Sequence, residues 1–175
     1  MNRKKALKMI AVSAALPVLP KTQTVTGDFL MEFIKRWEIA LSYSLKVLNA
    51  MPAELYDFKP SPELMSFGKQ FTHAAHWNTF FIGTIVHQPP IPEPTTLDKP
   101  TVIAYYTQCH DYCTDILKTL SEQQLIQTGY GEHDYWKKHT GTDYLLRAFM
   151  HIAHHRAETL LYLRLNGIEP PFFEF

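Results

Sequence analysis

Four apolar stretches with helical spacing, kept apart by breaks that no helix crosses, constrain this chain more than any other feature of it. The first spans about Asp28 to Asn49, where Leu30, Phe33, Ile34, Trp37, Leu41, Leu45 and Leu48 recur at three and four residues. That interval places side chains on one stripe of an α-helix. Asp28 is the expected N-cap. The loop "MPAELYDFKPSPELM" holds three prolines. Ser66 then caps a second helix that runs to about His87. "QPPIPEPTT" ends it, because proline lacks the backbone donor and clashes with the preceding turn. Asp98 opens the third helix, with Pro100 tolerated in its first turn. Ile103, Tyr106, His110, Cys113, Leu117 and Leu120 form its buried seam. Residues 121–141 read as a long connection. The fourth helix starts near Thr142 and stops at Gly167, with Pro170 and Pro171 beyond it. No stretch alternates as a strand does. The expected fold is all-α, a four-helix bundle occupying 28–175.

Charge narrows the function. The 175 residues balance to a net charge of zero, but Arg3, Lys4, Lys5, Lys8 and Lys21 sit before residue 28 with no acid among them. The remainder carries 12 bases against 17 acids, a net of −5. A body of that sign repels polyanions, so nucleic acid is not an expected partner. Residues 1–27 have the make-up of a targeting segment, with a basic start and then the apolar run "MIAVSAALPVL". "NRKKALK" is close to a weakened twin-arginine signal. The run falls short of the roughly 20 apolar residues that span a bilayer. Export without stable membrane insertion is the expectation; a cytoplasmic protein with an N-terminal extension is the alternative. The two cysteines, Cys109 and Cys113, lie one helical turn apart, which does not suit a disulfide. They are expected as buried thiols.

Nine histidines are the chemical resource of the chain. Three fall within five positions of "HIAHHRAETLLYLRLNGIEPP". His151 and His155 are four residues apart and project from one face on successive turns, a spacing at which two imidazoles reach one metal ion. His154 is turned about 60° from His151 and faces solvent or an outer partner. On the second helix, His73 shares a face with Gln70, Trp77, Phe80 and Thr84. One imidazole from that helix and two from the fourth make a three-histidine set suited to zinc, nickel or iron(II), with a position left for water or substrate. His76 is the competing ligand. His110 reads as a hydrogen-bonded core histidine or a pocket residue.

"LYDFKPSPELMSFGKQFTHAA", with the distant "HIAHHRAETLLYLRLNGIEPP", resembles the DinB/YfiT-like family. The tail follows that family's pattern of His-x-x-x-His-Arg, then Tyr-Leu-Arg, Gly and Pro-Pro, through His151, His155, Arg156, Tyr162, Leu163, Arg164, Gly167, Pro170 and Pro171. The likeness covers residues 28–171. It implies an up-down-down-up four-helix bundle, often a homodimer, holding a divalent metal on His73, His151 and His155. One departure stands out: Ala157-Glu158 replaces the usual Gly-Gln. Glu158 is expected either as an outer acceptor for a ligand N–H or as a solvated or paired helix carboxylate.

The same resemblance implies a metal-dependent enzyme of the hydrolase or thiol S-transferase type, acting on a small molecule, with a low-molecular-weight thiol as cofactor in the second case. A non-catalytic metal-binding or stress-response protein is the alternative. Trp77, Tyr106, His110 and Glu158 are the pocket candidates. Arg156 falls on the aliphatic side of its helix, where a buried carboxylate partner would be needed.

Overall fold

The computed structural model describes residues 25–174. Residues 1–24, which hold most of the expected targeting segment, lie outside the described residues. Helix α1 spans Val25–Ala50. It begins before Asp28, so that residue is not the cap; it sits in the first turn, where the helix dipole favours a negative charge. Helix α2 spans Phe67–Ile85, and Ser66 Oγ accepts from Lys69 N at 3.4 Å. It stops two residues before His87. His87 adopts a left-handed φ of 56°, and its N–H and that of Gln88 turn back to the carbonyls of Thr84 and Gly83. This is the helix-ending motif that usually uses glycine. Helix α3 spans Lys99–Leu117, with the Asp98 carboxylate accepting from Thr101 N at 3.0 Å and proline in the first turn.

The connection 121–141 is not structureless. It contains α4, Glu122–Ile126, and α5, Asp134–Lys137. Ser121 and Gln124 close a reciprocal capping box at the start of α4. Helix α6 spans Gly141–Leu165, capped by Thr140, whose Oγ1 accepts from Asp143 N at 3.2 Å. At its end Gly167, with φ 71°, supplies the left-handed turn.

Side-chain pairs fix how the long helices lie. Trp37 meets His110 and Ser44 meets Tyr106, so α1 and α3 are antiparallel. Phe33 meets Phe149 and Ala40 meets Arg156, so α1 and α6 are parallel. Helix α2 runs against α6, with Gln70 at Tyr162 and Phe81 at Tyr144. It pairs most extensively with α6 and with α3.

Two apolar clusters fill the bundle. One joins Trp37, Phe81, Ile82, Leu117, Tyr144 and Leu145. The other joins Leu48, Tyr56, Phe67, Phe71, Tyr106 and Leu163. Each fully buried side chain of this size contributes about 1.5–3 kcal/mol. The buried stripe of α1 is rotated from the expected one. Trp37, Ala40, Ser44 and Val47 face inward, while Leu41 and Leu45 are half-buried. The rotation follows from a polar layer between the clusters. Ser44 Oγ accepts from Tyr106 OH at 2.9 Å and from Arg156 Nη1 at 3.2 Å.

Arg156 therefore needs no carboxylate. Its Nη1 also donates to the Ala40 carbonyl at 3.1 Å, and its guanidinium lies 4.6 Å from the centre of the Tyr43 ring. Cys109 and Cys113 are buried free thiols, as expected. Burial pushes the Cys109 thiol up to about 11. No helix among the described residues is long and apolar enough to cross a membrane.

Candidate metal centre

The antiparallel pairing of α2 and α6 brings three histidines together. The His73 ring lies 5.2 Å from His151 and 4.8 Å from His155, and the last two are 4.4 Å apart. One ligand nitrogen from each falls within 4.8 Å of the others. These are the residues the spacing selects. His76 is engaged elsewhere: its Nδ1 donates to the Ile91 carbonyl at 2.8 Å, pinning the proline-rich loop to the outer side of α2.

The donor set fits a cation. His155 Nε2 and His151 Nε2 face each other at 3.0 Å. Two nitrogens of one tetrahedral zinc site, each about 2.0–2.1 Å from the ion, lie at a similar separation. His151 Nδ1 is buried with no hydrogen-bond partner. Burial comes first among the causes that lower all three pKa values. His151 falls to about 4 and His155 to about 3, with the neighbouring imidazoles adding to the effect. His73 is lowered too, against an opposing pull from Glu93. The imidazoles are therefore neutral at pH 7, the form that binds metal.

An outer layer, centred on Gln70, completes the site. His155 Nδ1 lies 2.5 Å from Gln70 Oε1. Gln70 Nε2 donates to Glu158 Oε2 at 2.5 Å and to Tyr162 OH at 3.2 Å. Tyr162 OH donates in turn to the Met65 carbonyl at 3.1 Å. Glu158 thus reaches His155 only through Gln70, and its other oxygen lies 3.4 Å from exposed His154. The importance of Gln70 was not apparent from the sequence beyond its place on the face of His73.

Trp77 flanks the site, its ring 6.2 Å from His73. It belongs to an aromatic wall with Phe80 and Phe81, and Phe81 meets His151 edge-on at 6.0 Å. Behind the wall a cleft of about 520 Å³ is lined by Phe80, His87, Pro89, Pro90, His133 and Trp136. Tyr106 and His110 are placed elsewhere. His110 Nε2 donates to the Trp37 carbonyl at 3.1 Å, and its Nδ1 accepts from Thr114 at 3.2 Å. Both line a void of about 10 Å³ in the core, room for a single water at most. Both are buried core residues.

An all-helical bundle with a three-histidine cluster between its second and last long helices defines the class. A sequence profile of the DinB superfamily matches residues 36–159. The chain belongs to that superfamily. Its fold is similar to a DinB-like protein of Bacillus subtilis, with 20% identity, a TM-score of 0.68 and coverage of 82% of this chain and 97% of that one. A DinB-like protein of Bacillus cereus is similar at 15% identity and TM-score 0.69, with the same coverage. A conserved protein of Enterococcus faecalis is similar at 16% identity and TM-score 0.57, covering 84% of this chain and 98% of that one. No curated protein matches the chain.

Proposed function

We propose that this chain is a divalent-metal-dependent enzyme of the hydrolase or thiol S-transferase type. His73, His151 and His155 are its ligands for zinc, nickel or iron(II). The observation that carries this reading is the convergence of three neutral imidazoles on one point between α2 and α6. A metal held by three protein ligands supplies Lewis acidity at an open position, to a water for hydrolysis or to a low-molecular-weight thiol for transfer. The chain's own residues do the rest. Gln70 orients His155, and Trp77, Phe80 and Phe81 keep bulk water from one side of the site. The substrate in this reading is a small molecule; the cleft beyond that wall has room for one but is lined by none of the three histidines.

Two further parts of the reading rest on other segments. The basic and apolar character of residues 1–27 supports export. A stripe of exposed apolar residues on α6, Leu146, Met150, Leu161 and Leu165 around Ala153 and Ala157, supports pairing with a second copy.

Elemental analysis of untagged protein, wild type beside His73→Ala and His151→Ala, tests the metal reading. The expected result is about one equivalent of metal per chain, lost in both variants. Turnover of an ester panel, or of thiol with an electrophile, should disappear in His151→Ala. Metal bound without turnover favours a non-catalytic metal-binding or stress-response protein. A wild type that is metal-free and cannot be reloaded overturns the proposal.

A further inference from the structure

We propose that Gln70 and Glu158 act as a positioning pair that fixes the proton of His155 on Nδ1 and so leaves the lone pair on its Nε2. Its consequence for metal affinity rests on the metal reading above; the pairing itself does not. The argument is one of donor and acceptor counting. A glutamine amide offers a carbonyl on one side and an NH₂ on the other, and alone it fits a histidine in either orientation. Here the NH₂ side faces two acceptors. The Glu158 carboxylate only accepts when ionised. The Tyr162 hydroxyl has committed its hydrogen to the Met65 carbonyl and therefore accepts from Gln70. Both amide hydrogens are thereby assigned, and Oε1 must point at His155 Nδ1. An acceptor at that place requires the imidazole proton on Nδ1. The lone pair then lies on Nε2, the nitrogen that faces His151.

The identity of residue 158 matters for this logic. A glutamine there would offer both a donor and an acceptor to Gln70 and would leave orientation to Tyr162 alone. A carboxylate removes that freedom. Gln70 is 2% exposed, so water does not compete for its amide. Glu158 is half-buried at the rim, with a side-chain exposure of 37%. It can be replaced without opening the core.

The test uses the full chain and two readouts. Zinc affinity is measured by competition with a chromogenic chelator. The His155 tautomer is read in metal-free protein from long-range proton–nitrogen correlation spectra. Gln70→Met, of similar length but unable to accept at Nδ1, should lose about 10–100-fold in zinc affinity and show His155 as a mixture of tautomers. Glu158→Leu should move both readouts the same way by less. Glu158→Gln should behave like Glu158→Leu, because an amide that can donate as well as accept leaves the orientation of Gln70 to Tyr162 alone. Zinc affinity in Gln70→Met within about twofold of wild type, with the tautomer unchanged, overturns the proposal. If wild type binds no zinc, the metal reading fails and the spectra decide: a tautomer change in Gln70→Met supports the pair, and none overturns it.

Discussion

His155 and His151 hold most of the site's titration behaviour. Burial and the neighbouring imidazoles disfavour their cations, so they protonate at about 3 and about 4 in the folded chain. An unfolded histidine takes its proton near 6.5. Between these values the unfolded state binds more protons, so stability rises with pH. The contribution is whole above about pH 6.5 and is lost as pH falls through about 4 and about 3. Urea midpoints of metal-free protein should therefore drop between pH 7 and pH 5. His155→Ala should show a shallower drop than wild type, and equal slopes would contradict this account. Two members of the three-histidine cluster were readable from sequence because helical spacing alone puts His151 beside His155. Gln70 was not, because a glutamine one turn before a histidine looks like any half-polar helix position. The partners of Arg156 were hidden for a different reason. One is the Ala40 carbonyl, and backbone groups carry no sequence signature.

Among the elements, the boundaries followed local chemistry where a cap was written in the sequence. Ser66 and Asp98 start α2 and α3 as their side chains dictate. Residues 121–141 read as a loop because α4 and α5 are too short to show an apolar period. The spacing of Ser121 and Gln124 nevertheless carried a capping box. Why α6 must begin with glycine is a matter of tertiary contact. A Cβ on Gly141 would lie 2.2 Å from the Gln124 carbonyl oxygen, where α4 presses on the first turn of α6. That oxygen is backbone and cannot swing away. Gly141→Ala should therefore destabilise the chain by about 1–3 kcal/mol through overpacking. Thermal unfolding should show it as a fall of about 2–4 °C per kcal/mol in a domain of this size. An unchanged midpoint would mean that α4 shifts freely, and that its capping box does little to hold it.

At the scale of the whole molecule, α6 serves two surfaces at once. One side carries His151 and His155 toward α2. Another exposes Leu146, Met150, Leu161 and Leu165, from 44% to 69% accessible, with Ala153 and Ala157 between them. The four long helices were legible from the breaks and the apolar period, but this outer stripe was not. A sequence wheel cannot tell an apolar face turned to the core from one turned to solvent. The stripe reads nearly alike in both directions about residue 155, with large residues outside and alanines within. A two-fold axis pairs a surface with itself reversed, which an antiparallel contact of α6 with α6 of a second copy satisfies. Small residues at its centre let two helices approach, and the flanking side chains cover the ends. Wild-type protein should sediment as a dimer. Met150→Lys with Leu161→Lys should give a monomer, because lysine ammonium groups would face one another across a dry contact. Metal content should be unchanged in that variant, since neither position faces the three histidines. A monomeric wild type, or a double variant that still pairs, would remove the second copy from the proposal and leave the stripe as exposed surface.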